Sequence, residues 1–146
     1  MPDGDAGNSL VLTRVVMEAF ADSNWPVLRD LCHEDALLST LAAQLEVMTP
    51  DELMLVLAEV TAGDVYGIDG MTATAVDETA ALLTGRIRFP LAAGGFGEGD
   101  RAWLLTYRDG LLYRLRAYTS ARKARAAYAE HGPRLGIENA AEHALH

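Results

Sequence analysis

The spacing of apolar residues divides the chain into a helical first half and an extended second half. Residues 9–22, SLVLTRVVMEAFAD, place Leu12, Val15, Val16, Ala19 and Phe20 at intervals of three and four, the signature of one helix face, with Ser9 as its cap. SNWPVLRDLCHED predicts a short second helix: Ser23 or Asn24 caps it, Pro26 suits its first turn, and Trp25, Leu28 and Leu31 share an apolar face. DALLSTL, residues 35–41, reads as a strand. A third helix opens at TPDEL, where Thr49 and Glu52 form a capping box and Pro50 takes the first helical position. Leu53, Leu57 and Val60 make its stripe, and Gly63 stops it.

Beyond Gly63 the rhythm changes. TATAVDETAALLTGRIRFPLA predicts two strands joined near Asp77 and Glu78, with Arg86 and Arg88 pointing the same way. AAGGFGEGD reads as a flexible inter-strand loop holding Glu98 and Asp100. RAWLLTYRDGLLYRLRAYTS is a hairpin turning at Asp109-Gly110. If the turn has two residues, simple alternation puts Trp103, Leu105 and Tyr107 on one face with Leu112, Arg114, Arg116 and Tyr118. The opposite face then carries Leu104, Thr106, Tyr113, Leu115 and Ala117. A last helix runs from about Ala121 to His131, capped by Ser120 and ended by Gly132-Pro133. Helices followed by hairpin-linked strands imply an α+β fold with an antiparallel sheet. There are no internal repeats and no interdomain linker. The expected layout is a flexible N-terminus over 1–8, one domain over 9–132 and a polar tail over 133–146.

Composition narrows the function. The 146 residues are half hydrophobic and 23% charged, a globular balance. The net charge of −9 argues against nucleic acid, whose affinity depends on neutralising phosphates. No apolar run approaches the length needed to cross a bilayer, so no membrane partner is expected. MPDGDAGNS lacks the basic and apolar regions of a secretion signal, and one cysteine, Cys32, excludes an internal disulfide; a cytoplasmic location is the expectation. Charge is segregated: Arg14 and Arg29 are the only basic residues through position 80, whereas Arg101, Arg108, Arg114, Arg116, Arg122, Lys123, Arg125 and Arg134 crowd the last third. Such a cluster suits an anionic ligand, or acidic partners within the fold or across a dimer.

Two stretches carry a family resemblance. VVMEAFADSNWPVLRDLCHEDA resembles the opening of the SnoaL-like branch of the NTF2-like superfamily, with its amphipathic helix, Asn-Trp helix and His-x-Asp-Ala entry into the first strand. AWLLTYRDGLLYRLRAYTSARKARAA resembles that branch's closing hairpin and short helix, including the Arg-x-Tyr of Arg116 and Tyr118. The resemblance spans about residues 10–132. It implies an NTF2-like (cystatin-like) cone, in which a curved antiparallel sheet wraps around N-terminal helices and encloses a pocket, with a short C-terminal helix. Relatives include polyketide cyclases, steroid isomerases, epoxide hydrolases and dehydratases, so fold does not fix chemistry.

Pocket chemistry in such relatives commonly uses carboxylates. Here Ala117 and Ser120 stand where acids often stand, which leaves Asp35, at the entry to the first strand, as the candidate catalytic base or a plain surface residue. Trp25, Trp103, Tyr107, Arg116 and Tyr118 are the candidate ligand-pocket residues. Arg116 would orient an anionic or carbonyl group, or else pair with an acidic residue of the fold or of a partner subunit. The histidines His33, His131, His143 and His146 show no metal spacing, His143-x-x-His146 being a weak signal in the tail; Cys32 reads as a buried small hydrophobe and not a nucleophile; and GGFGEG does not join a strand to a helix as a phosphate loop must, so no cofactor or metal is expected.

The expected function is a pocket for a small, largely apolar ligand in a homodimer formed through the sheet. The alternatives are an isomerase, cyclase or dehydratase acting on a polyketide-like or steroid-like substrate, and a structural dimerisation module with a vestigial cavity.

Overall fold

The computed structural model describes residues 2–39, 47–62 and 67–137. The element order is α1 (Pro2–Ala21), α2 (Trp25–Asp30), β1 (Cys32–Ser39), α3 (Pro50–Ala62), β2 (Gly67–Ala75), β3 (Ala80–Pro90), β4 (Phe96–Arg108), β5 (Leu111–Tyr118) and α4 (Ala121–His131). The positions of Thr40, Leu41 and Gly63, the side chain of Val60, and the tail histidines His143 and His146 lie outside the described residues.

Local signals work where the chemistry is local. The Thr49 backbone N–H donates to Glu52 Oε1 at 3.1 Å and the Glu52 N–H returns to Thr49 Oγ1 at 3.4 Å, the reciprocal pair that opens α3. Ser120 Oγ accepts from the Lys123 N–H at 3.2 Å and caps α4. Asp109 and Gly110 both hold positive φ, 55° and 77°, as a two-residue hairpin turn of type I′ requires.

The five strands form one open sheet in the order β1-β5-β4-β3-β2. β2 through β5 are antiparallel neighbours, as the hairpins dictate, but β1 runs parallel to β5. These two strands are separated by most of the chain, so no tight turn fixes their relative direction. Register shifts in the β1–β5, β2–β3 and β4–β5 pairs mark bulges, which bend and coil a sheet.

Each sheet face has its own cover. On the inner face α1, α2 and α3 pack Val16, Ala19, Leu28 and Leu53 against Trp103, Leu105, Tyr107, Leu112 and Ala117. On the outer face α4 and residues 135–137 pack Ala124, Leu135 and Ile137 against Leu82, Ala102, Leu104 and Tyr118. Leu104 and Leu105, adjacent on β4, are both fully buried, one per face. Each contributes about 1.5–3 kcal/mol of hydrophobic stabilisation.

Three boundaries differ from the sequence expectation. α1 begins at Pro2, so Ser9 is mid-helix and buried, with its Oγ donating to the Asp77 carbonyl at 2.6 Å instead of capping. The glycine-rich loop is shorter than expected: Phe96–Asp100 extend β4, and Glu98 and Asp100 face Arg86 of β3 at 3.2 and 3.8 Å. Residues 133–137 do not behave as a tail, because Leu135 and Ile137 are fully buried in the outer core. Two apolar residues among polar neighbours are too few for a periodic signal, yet they suffice to anchor the chain.

Candidate functional site

The hairpin β4–β5 decides which side chains meet. Beside the turn, Tyr107 pairs with Leu112, as simple alternation requires. The next pair is Thr106 with Arg114, so Tyr113 has no partner and forms a bulge. One extra residue inverts the face of everything beyond it. Leu115 and Ala117 therefore join Trp103 and Leu105 on the inner face. Arg114, Arg116 and Tyr118 go to the outer face with Thr106, Leu104 and Ala102.

The predicted ligand-pocket residues are thus divided. Trp25, Trp103 and Tyr107 belong to the inner cluster, whereas Arg116 and Tyr118 stand behind the sheet. Asp35 belongs to neither cluster: it is exposed in the irregular stretch of β1, where its N–H donates to His33 Nδ1 at 3.0 Å.

The hairpin arginines bind the protein's own carbonyls and aromatic rings. Arg114 is 2% exposed, stacks 3.8 Å from the centre of the Tyr113 ring, and donates from Nη1 to the carbonyls of Asp35 and Tyr113, both at 2.9 Å. Arg116 donates to the Leu135 carbonyl at 2.8 Å and lies 5.2 Å from the Tyr118 ring centre. Burial raises the Tyr118 phenol, with the neighbouring Arg116 charge opposing that rise. A planar guanidinium suits these roles because it stacks and donates in one plane.

The inner face is built differently. Half-buried apolar side chains pack against its buried core: Leu12, Trp25, Leu31, Met54, Leu57, Leu83, Ile87 and Leu115. One polar pair lies in this surface. Thr13 Oγ1 and Tyr107 Oη are 2.7 Å apart, and both residues are buried. Burial pushes the Tyr107 phenol well above its ordinary value, so it stays neutral and protonated. The sequence names Tyr107 as a candidate but not Thr13, its hydrogen-bond partner. The signal was available: Ser9 and Thr13 are polar residues on the α1 stripe that continues through Val16 and Phe20 at helical spacing.

Acid–base and metal chemistry find few groups here. Among the described residues the buried polar or charged side chains are Ser9, Thr13, Ser39, Thr106 and Arg114, with no carboxylate. Cys32 donates to the Leu28 carbonyl at 3.4 Å, and burial raises its thiol to about 11, which keeps it protonated at neutral pH. No three His, Cys, Asp or Glu residues among those described cluster to hold a metal ion. No helix among them is long and apolar enough to cross a membrane.

By sequence the chain matches no family model and no curated protein. By structure it is similar to a candidate polyketide cyclase from Xanthomonas campestris pv. campestris, with a TM-score of 0.64 and 18% identity over 84% of this chain and 97% of that one. An NTF2-like protein from Burkholderia xenovorans LB400 gives a TM-score of 0.64 and 16% identity over 83% of this chain and 96% of that one. Bal32a, from a soil-derived mobile gene cassette, gives 0.64 and 13% over 83% and 95%.

Proposed function

We propose that this chain, which has the NTF2-like fold, is a small-molecule binding protein that holds a largely apolar ligand against the inner face of its sheet. The observation that carries this reading is the set of half-buried apolar side chains, contributed by the N-terminal helices and the sheet, that packs against the cluster of Trp103 and Tyr107. A stable monomer with no ligand would gain by burying them fully.

The test uses Nile red, a neutral dye whose emission shifts to the blue in apolar surroundings. Saturable binding is expected, and Leu83→Trp, which fills the rim, should weaken it at least about tenfold, the equivalent of losing roughly 1.4 kcal/mol. Absence of saturable binding, or binding that the substitution leaves unchanged, would refute the reading.

A second reading is an isomerase, cyclase or dehydratase acting on a polyketide-like or steroid-like substrate, with Asp35 as its base. It draws support from the candidate cyclases among the similar structures. Against it stand the exposure of Asp35 and the lack of a buried carboxylate among the described residues. A third is a structural dimerisation module with a vestigial cavity.

We keep a homodimer through the sheet as part of the proposal, in the cytoplasm and with no nucleic-acid or membrane partner. The part of the outer face that suits such a contact is the exposed surface of Thr72, Thr74, Arg86, Arg88, Glu98 and Asp100. Arg86→Glu, placed against Glu98 and Asp100, should convert a dimer to a monomer in light scattering; a wild-type monomer would end the dimer proposal.

A further inference from the structure

We infer that the inner site selects a neutral ligand bearing a hydrogen-bond acceptor, such as a ketone, and discriminates against carboxylates. This rests on the ligand-pocket reading above and sharpens it. Thr13 and Tyr107 bring two hydroxyl protons into apolar surroundings. The bond between them uses one proton. It is the only hydrogen bond either hydroxyl makes among the described residues. Thr13 does not turn its proton back onto the carbonyl one helical turn earlier, the usual outlet for a mid-helix threonine. Whichever hydroxyl donates, the other retains a proton with no acceptor, and leaving a buried donor unmet costs about 1–3 kcal/mol. A carbonyl oxygen brought by a ligand removes that cost.

The charge distribution argues for neutrality. Arg114 is the only buried charged side chain among the described residues, and the Tyr113 bulge puts it on the outer face with Arg116. Arg101 alternates onto the inner face, but it is six residues from Tyr107, about 20 Å along an extended strand, and its Nη1 donates to the Asp100 carbonyl. A carboxylate beside Thr13 and Tyr107 would be desolvated with no cation to pair with it.

Three probes of similar size separate the possibilities in calorimetric titrations: 2-acetylnaphthalene, 2-isopropylnaphthalene and 2-naphthoate. The ketone is expected to bind about tenfold more tightly than the hydrocarbon, and naphthoate most weakly. In the double variant Thr13→Val/Tyr107→Phe, ketone and hydrocarbon should become equal. Replacing both partners by apolar groups of like shape is nearly neutral for folding, and the wild-type ranking needs no variant at all. Equal binding of ketone and hydrocarbon to the wild type, tightest binding of naphthoate, or a ketone preference that survives the double substitution would overturn the inference while leaving the pocket intact. Failure of all three probes to bind would instead remove the pocket itself, and the inference with it.

Discussion

The Tyr128 hydroxyl donates to the Asp77 carboxylate across 2.5 Å, and the carbonyl of the same Asp77 accepts from Ser9 Oγ at 2.6 Å. One turn residue between β2 and β3 therefore ties α4, outside the sheet, to α1, inside it. Asp77 also accepts from the Thr79 backbone N–H at 2.8 Å.

This junction predicts an acid-sensitive component of stability. Burial works to raise the Asp77 carboxyl, but the bonds from Tyr128, Thr79 and Ala80 outweigh it and hold the group below its ordinary value. A depressed folded-state value contributes stability that is fully present above the unfolded carboxylate pKa and is lost as pH falls through the folded one. Tyr128→Phe should shrink the loss of stability on acidification, costing about 1 kcal/mol near neutral pH after allowance for solvent exposure. Urea titrations at a series of pH values measure this; parallel pH profiles for the two proteins would show that the bond contributes nothing.

Arg114→Leu should destabilise the fold by about 2–4 kcal/mol, because it strips a donor from two carbonyls and the cation from the Tyr113 ring. Arg114→Lys keeps the charge but not the planar fork, and should recover less than half of the loss. Denaturant midpoints decide the matter, and a lysine variant equal to wild type would contradict it.

Ile137→Ala should cost about 2–4 kcal/mol, the usual range for a large-to-small change in a closed core, since Ile137 is fully buried against the outer face. The loss would show as a lowered thermal midpoint. A change below 0.5 kcal/mol, the size of an ordinary surface substitution, would mean that residues 135–137 do not pack as described.

Ser120→Ala should cost about 1 kcal/mol through loss of the α4 cap, with the first amides of α4 exchanging faster with solvent. Unchanged exchange at Lys123 would refute the cap.

These effects divide along the line of what the sequence reveals. Caps and turns are legible because one or two residues carry the whole signal, as Thr49-Glu52, Ser120 and Asp109-Gly110 do. The start of α1 was not: Ser9 has the chemistry of a cap, and only the position of Asp77 in space shows that its hydroxyl has another use. Nor does the sequence announce the bulge. Leu112, Tyr113, Arg114 and Leu115 read as unbroken alternation, and the cost of an inner-facing Arg114 appears only once the helices are seen to cover that face. Tyr107 is a candidate by its place in the hairpin, but its hydrogen-bond partner Thr13 comes from 94 positions away and belongs to a different element.

The Tyr113 bulge also bears on how such a chain can change its chemistry over time. Substitutions that close the bulge, setting Tyr113 opposite Thr106, would restore strict alternation and carry Arg114, Arg116 and Tyr118 together to the inner face, whereas deleting Tyr113 would leave them outside. In the same step Leu115 and Ala117 would move behind the sheet. The same hairpin thus encodes an uncharged interior or a cationic one, with one residue of register as the toggle.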